Sequence, residues 1–263
     1  MDLKLAGKKA FVSGSTQGIG YAIARALLGE GVSVVINGRS EDKVQNAVQE
    51  LTVQVAGAVV SGIVADFEDP EQVEQLVESL GELDILVNNV GLFELTPFGD
   101  ISDDDWQRYF DVNVMSGVRL SRYALNNMLA KKWGRIIFIG SESGVNVPVD
   151  MVHYGVTKAA MLALSNGLAK LTRGTAVTVN TILGGPTYSD GVADSVGQIS
   201  QAQMMSTDEL KAAIVAGNVT SLLQRFIEPG EIANLALYLA SPLSSATNGA
   251  ALRADGGVLT AMI

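Results

Sequence analysis

The sequence predicts an α/β fold built around a parallel sheet, and three observations predict it. Short, apolar, β-branched runs of strand length alternate with amphipathic stretches along the whole chain. Apolar residues make up 48% of the 263, and Ala, Val, Leu and 28 Gly are prominent, as in a sheet buried on both faces. A glycine-rich turn joins the first strand to the first helix. Strand–helix alternation with such connections implies parallel strands and right-handed crossovers. No linker, repeat or low-complexity tract interrupts it, so residues 1–263 read as a single domain.

The strand candidates are Ala10–Val12, Val32–Ile36, Ala58–Ala65, Ile85–Val87, Ile136–Ile139 and Ala176–Val179. One helix is expected from about Gly18 to Glu30. A second starts at Asp69-Pro70-Glu71, with Asp69 as cap and Pro70 in the first turn. Two longer helices are expected from about Asp103 to Lys131 and from about Val152 to Thr172. Residues 186–225 break the alternation, with Gly191, Gly197, Gly217, many Ser and Gln, and Met204-Met205. A long, weakly patterned insertion of this kind reads as a substrate lid, with a surface excursion as the other reading; Met205, Leu210 and Ile214 suggest an apolar inner face or, equally, a helix's own core face.

Composition narrows the chemistry. The chain has no cysteine, which removes disulfides, thiolate catalysis and sulfur-ligated zinc. It has one histidine, His153, so a multi-histidine metal site is excluded and no metal is expected in catalysis. Eighteen Lys and Arg against 28 Asp and Glu give a net charge of -10. That balance argues against nucleic acid or an anionic membrane as partner. No apolar stretch approaches the ~20 residues that span a bilayer. The stretch from Met1 to Lys9 has no apolar core of signal-peptide length, so a cytoplasmic location is expected.

The turn Gly14-Ser15-Thr16-Gln17-Gly18-Ile19-Gly20 follows the first strand and opens the first helix. Glycines let a backbone approach a pyrophosphate, and free N–H groups at a helix start face it. Tyr154 and Lys158 lie four apart, hence on one helical face. A free tyrosine holds its proton to a pKa near ~10, and a neighbouring lysine cation should lower that value. A tyrosine so placed can serve as a general acid or base.

Together with Asn88-Asn89-Val90-Gly91 after the fourth strand, these motifs resemble the short-chain dehydrogenase/reductase family, from about Gly7 to Gly257. The resemblance implies a doubly wound Rossmann sheet of about seven parallel strands with helices on both faces. It implies hydride transfer between a nicotinamide cofactor and a carbonyl or secondary alcohol. It assigns Asn113, Ser141, Tyr154 and Lys158 as catalytic, Ser141 binding the substrate oxygen and Asn113 supporting a water relay behind Lys158. Ser143 is the alternative serine if the strand end shifts. Glu142 reads as a solvated carboxylate and His153 as a packing or interface residue.

The same resemblance implies a cofactor site made of Gly14, Ser15, Gln17, Gly18, Ile19, Gly20, Arg39, Asp66, Phe67, Asn88, Gly91, Tyr154, Lys158, Gly185 and Ser189. Asp66 is expected at the adenine amino group, a helix cap being its other reading. Val90 stands where the family usually has alanine, and Gly184 where it has proline. Gly38 ends the second strand where NAD-preferring members carry an acid, and Arg39 follows it. A guanidinium in place of a carboxylate favours a 2′-phosphate, so NADP(H) is preferred, with NAD(H) as the other cofactor. Glu41 or Asp42 would instead reach the ribose if Arg39 faced solvent.

The ending Asp255-Gly256-Gly257 also resembles the family, which implies a homodimer or homotetramer. The small residues Gly155, Ala159, Ala160, Ala163 and Gly167 would let helices pack closely. A small carbonyl or alcohol is the expected substrate. Reduction of a 3-oxoacyl thioester is the alternative; an acyl-carrier partner would need a basic rim, for which Lys131, Lys132, Arg122 and Arg173 are candidates by charge. A nucleotide-sensing protein without turnover is a further alternative.

Overall fold

A computed structural model of the protein describes residues 2–262. Among them, seven strands form one sheet: β1 (Lys9–Val12), β2 (Ser33–Gly38), β3 (Val60–Val64), β4 (Ile85–Asn88), β5 (Trp133–Ser141), β6 (Ala176–Gly184) and β7 (Ala251–Ala254). Their order is β3-β2-β1-β4-β5-β6-β7 and every pairing is parallel. The sheet therefore winds in opposite directions from β1 and β4. A crevice opens at the carboxyl ends where the order reverses, the place where such sheets bind ligands.

The helices are α1 (Gly18–Gly29), α2 (Glu41–Gln54), α3 (Pro70–Ser79), α4 (Asp103–Tyr109), α5 (Ser116–Lys131), α6 (Val152–Leu171), α7 (Asp190–Gln203), α8 (Thr207–Gly217) and α9 (Pro229–Ala240). Alternation along the strands explains why helices cover both faces. Val12, Ile36, Val87 and Ile137 pack with Ile23 and Leu27 of α1 and Ile232 and Ala236 of α9. Phe11, Val35, Leu86, Ile136 and Val179 point the other way, onto Leu76, Leu120, Ala124 and Met161. Successive residues of one strand thus serve two cores.

The expected caps are present. Asp69 accepts hydrogen bonds from the Glu71 and Gln72 amides, with Pro70 opening α3. The expected long helix is interrupted: between α4 and α5 the residues Phe110–Met115 form a π-helical turn. Such turns widen the helix and often mark functional positions. The 186–225 segment is more ordered than its composition indicated, being mostly α7 and α8. Ser206 and Glu209 form a reciprocal cap at the start of α8. Its inner face is narrower than expected: Leu210 is buried, but Met205 and Ile214 are each 38% exposed. Thr187 and, in α7, Val196 and Ser200 are buried as well. None of the described helices is long and apolar enough to cross a membrane.

Candidate active site

The glycine-rich turn shows why each glycine is there. Gly14 and Gly18 have positive φ, +59° and +62°. Gly20 has no room for a side chain: a Cβ would lie 2.5 Å from both the Asn89 amide nitrogen and the Gly14 carbonyl. The Asn89 amide ties the turn to β4, donating to the Ser13 carbonyl (2.9 Å) and the Gly14 carbonyl (2.8 Å). At the start of α1, the Ile19 and Gly20 N–H groups have no acceptor among the described residues. The Gly18 N–H donates to the Asp190 carboxylate at 2.6 Å.

Two expected cofactor side chains turn elsewhere. Ser15 is fully buried, its hydroxyl donating to the Val12 carbonyl (2.6 Å) and accepting from the Asn37 amide (3.0 Å). Thr16, next in the turn, lines the cavity instead. Asn88 points to the helical face and donates to the Ser121 hydroxyl at 3.2 Å. The pleat that sends Asn88 away presents Asn89.

A cavity of about 530 Å³ lies over the turn and the ends of β2, β3 and β4. Gly14, Gln17, Arg39, Asp66, Phe67 and Gly91 line it as expected. Glu41 and Asp42 do not. Asp66 accepts from the Glu68 amide (3.0 Å) in a local turn and does not cap α3, a role that Asp69 fills. Gly38 is closed to any side chain: a Cβ there would sit 2.6 Å from the Thr16 methyl. Thr16, Ser40 and Lys43 join Arg39 around that glycine, and sequence reasoning missed all three. Lys43 is four residues beyond Arg39, a spacing that brings side chains together at a helix start.

Gly91 connects this cavity to the catalytic candidates. A Cβ on Gly91 would lie 3.5 Å from both the Lys158 Nζ and the Asn113 Oδ1. Asn113 is fully buried within the π turn and clamps Leu92, accepting from its N–H (2.7 Å) and donating to its carbonyl (3.1 Å). Its amide also donates to the Thr157 hydroxyl at 2.9 Å, joining the loop after β4 to α6. Lys158 is buried and donates to the Ile139 carbonyl at 2.9 Å. Its Nζ lies 5.6 Å from the centre of the Tyr154 ring.

The protonation balance differs from the expectation. Burial pushes the Lys158 ammonium down to about 8. Burial also pushes the Tyr154 phenol up to about 12, with the Glu142 charge adding and the Ser141 hydroxyl opposing. Desolvation thus outweighs the lowering expected from the lysine, which sits over the ring rather than at the phenol oxygen.

Glu142 is not the solvated carboxylate its sequence context indicated. It is half-buried and accepts from the Ser143 hydroxyl (2.6 Å) and the Ser141 hydroxyl (3.2 Å). The Ser141 oxygen in turn accepts from the Ser143 amide at 3.1 Å, which fixes Ser141 at the end of β5. Phe93, also missed, meets Tyr154 edge-on with ring centres 6.4 Å apart. His153 packs as expected: it is buried, 3.9 Å from the Tyr109 ring and 6.2 Å from the Trp106 ring.

The 186–225 segment begins on top of the glycine-rich turn. Ser189 precedes α7 at its N-terminal position without a side-chain cap bond, and its Cβ lies 3.4 Å from where a Gly18 Cβ would be. Gly185 is pressed against β7, where a Cβ would meet the Asp255 carbonyl at 2.6 Å. The segment's far end returns through Ile227, whose N–H donates to the Pro186 carbonyl at 2.8 Å. A larger cavity, about 630 Å³, lies between α8 and residues 218–228 and contains none of the four catalytic candidates. Lys131, Lys132 and Arg173 flank the starts of β5 and β6, at the opposite end of the sheet from Ser141. These three form no rim around the site, and Arg122 is exposed midway along α5.

A reversing parallel sheet, a glycine turn that excludes side chains at its switch point, and a tyrosine–lysine pair beside it define a dinucleotide-dependent oxidoreductase. The chain belongs to the short chain dehydrogenase family, whose model matches residues 8–199. It is 48% identical to the uncharacterized oxidoreductase YvaG of Bacillus subtilis (strain 168), over 98% of each chain. It is 32% identical to a 3-oxoacyl-[acyl-carrier-protein] reductase of Aquifex aeolicus (strain VF5), over 98% of this chain and 100% of that one. Its structure is similar to that of L-sorbose reductase from Gluconobacter frateurii, complexed with NADPH and L-sorbose. The TM-score is 0.94, with 30% identity and complete coverage of both chains.

Proposed function

We propose that this chain is an NADP(H)-dependent reductase of ketones, and in reverse a secondary-alcohol dehydrogenase, with Tyr154 as acid–base. One observation carries the reading: Gly91 ends the dinucleotide cavity against the Lys158 Nζ, and Lys158 lies over the Tyr154 ring. The cradle fits a dinucleotide, with two free N–H groups at a helix start and glycines where any Cβ would intrude. Arg39, Lys43, Thr16 and Ser40 would hold a 2′-phosphate, and closed Gly38 leaves no place for a ribose-binding acid. The NADPH held by the structurally similar sorbose reductase supports the same choice, and its sugar supports a ketone as substrate.

A nicotinamide bound there supplies or accepts the hydride. The Ser141 hydroxyl swings its proton from Glu142 to the carbonyl oxygen, and Tyr154 donates to that same oxygen as charge develops. A phenol held at about 12 stays protonated at neutral pH and is ready to donate. Lys158 would hold the ribose hydroxyls and return the Tyr154 proton from the solvent side. Asn113 keeps the loop after β4 at the distance this requires.

The thioester reading is weaker because Lys131, Lys132 and Arg173 lie at the far end of the sheet, and the sensing reading because the chain carries Asn113, Ser141, Tyr154 and Lys158 together. Along α6, Ala163 and Gly167 are exposed, which leaves a small-residue stripe open to a second copy; sedimentation should find a homo-oligomer. The central test is NADPH oxidation with a panel of ketones, diketones, aldehydes and 3-oxoacyl thioesters. The reading expects turnover with at least one non-thioester ketone and its loss in Tyr154→Phe. NADPH binding with no turnover of any carbonyl would instead support the sensor.

A further inference from the structure

Glu142 touches the reacting centre with only one of its two oxygens. Oε2 takes the Ser143 hydroxyl at 2.6 Å and the Ser141 hydroxyl at 3.2 Å. Oε1 accepts nothing from the described residues, and it is not a sealed, orphaned atom. The side chain cannot simply rotate into solvent without losing both serine contacts. Burial pushes its carboxyl up, and Asp255 adds a second negative charge on the same side. Asp255 itself is held by Arg253 at 3.0 Å and by the Leu259 amide at 3.0 Å, so it is not free to take a ligand.

A complementary surface lies beside Tyr154. Phe93 is 42% exposed, edge-on to the phenol, and its ring comes within 4.0 Å of where a Cβ on Gly191 would lie at the start of the lid. The tyrosine therefore has a free anionic acceptor on its Ser141 side and an apolar ring toward the lid. An acceptor beside the reacting carbon suits a hydroxyl on the neighbouring carbon. A ring plane suits the C–H face of the same molecule. A carboxylated substrate would bring its charge against Glu142 and Asp255.

We propose that Glu142 is a specificity-determining, substrate-contacting residue. Its free oxygen takes a hydrogen bond from the hydroxyl next to the reacting carbonyl, selecting neutral polyhydroxylated ketones over plain and carboxylated ones. The proposal rests on the ketone-reductase reading and names its substrate class.

The test compares kcat/KM with NADPH for three probes: a neutral 2-ketohexose, a six-carbon ketone without hydroxyls, and a keto-aldonate. Wild type should prefer the ketohexose. In Glu142→Gln and Glu142→Ala the ratio of ketohexose to plain ketone should fall about tenfold or more, mainly through KM, as expected for losing a charge-assisted bond. The ratio of keto-aldonate to ketohexose should rise in both. NADPH affinity within twofold of wild type would show that each variant is folded. A ratio that the substitutions leave unchanged overturns the proposal. A wild type that turns over only plain or carboxylated ketones also overturns it, while the reductase reading stands. Silence toward every carbonyl overturns both.

Discussion

The proposed cofactor half and substrate half of this site are built by opposite means. The cofactor half is made by leaving side chains out: Gly14, Gly18, Gly20, Gly38 and Gly91 stand where a turn or a close approach excludes a Cβ or sets the limit of the cavity. Behind them lie the buried central strands β1, β2 and β4, so the shape follows from core packing. The proposed substrate half is made by putting side chains in: Ser141, Glu142, Tyr154 and Phe93, with Phe93 reaching Gly191 of α7. The proposed lid, residues 186–225, is tied to the body chiefly by Asp190 on Gly18, Ile227 on Pro186 and Leu222 on Gly256.

The sharpest way to separate the halves is Tyr154→Phe. Removing the phenol proton should cut turnover about 10²- to 10⁴-fold, the usual worth of a positioned acid. NADPH affinity, measured by fluorescence titration, should stay within a few-fold. Equal loss of both would mean that the halves are not separable at this residue.

Lys158 belongs to both halves, and its substitution should set function against stability. Lys158→Met should remove most turnover. It should also raise the melting temperature at pH 7 by several degrees, because burial disfavours the ammonium. The folded pKa, about 8, lies below that of the unfolded chain near ~10.4. Between those values the unfolded chain binds more protons, so wild-type stability rises with pH there. The advantage of the methionine variant should therefore shrink toward pH 10. A constant advantage across that range would deny that the buried charge is its origin.

Cofactor choice is the next largest effect. Arg39→Ala should weaken NADPH binding about 10- to 100-fold and NADH binding much less, a charge-assisted phosphate contact being worth roughly 1.5–3 kcal/mol. Gly38→Asp alone should not produce an NADH enzyme, because its Cβ would meet Thr16. The pair Gly38→Asp with Thr16→Ala should bind NADH better than the single variant. If the single variant switched cleanly, Thr16 would not be the obstacle.

The same contrast explains what was legible in the sequence. The cofactor half depends on local patterns: a glycine spacing, a strand end, a cap. Gly14, Gly20, Gly38 and Asp69 could be read because their reasons lie within a few residues of each other or in one strand register. Ser15 and Asn88 were misplaced by one position, where the backbone turns its side chains alternately in and out. Thr16 and Asn89 hold those outer places. The substrate half depends on contacts distant in sequence. Glu142 looked solvated because nothing near it in the chain foretells how β5, α6 and Asp255 enclose it. Phe93 and the lid's two helices were hidden for the same reason, since their partners are α6 and the glycine-rich turn. The tyrosine's raised pKa was misjudged because spacing reports proximity to a cation and not the water lost on burial.

The smallest predicted effect lies where the halves meet. The Asp190 carboxylate, at the first residue of α7, accepts from the Gly18 N–H at 2.6 Å, beside the free amides that suit a pyrophosphate. One anion at that helix start opposes the arrival of another. Asp190→Asn keeps an acceptor for Gly18 but removes the charge. It should tighten NADPH binding a few-fold at low ionic strength, and the gain should fade as salt screens the pair. The lid would then be coupled to the cofactor through charge. A tightening that ignores salt would point instead to a lid held shut by the hydrogen bond itself. A loosening would mean that Asp190 supports the turn and that the two halves are joined by structure at this contact.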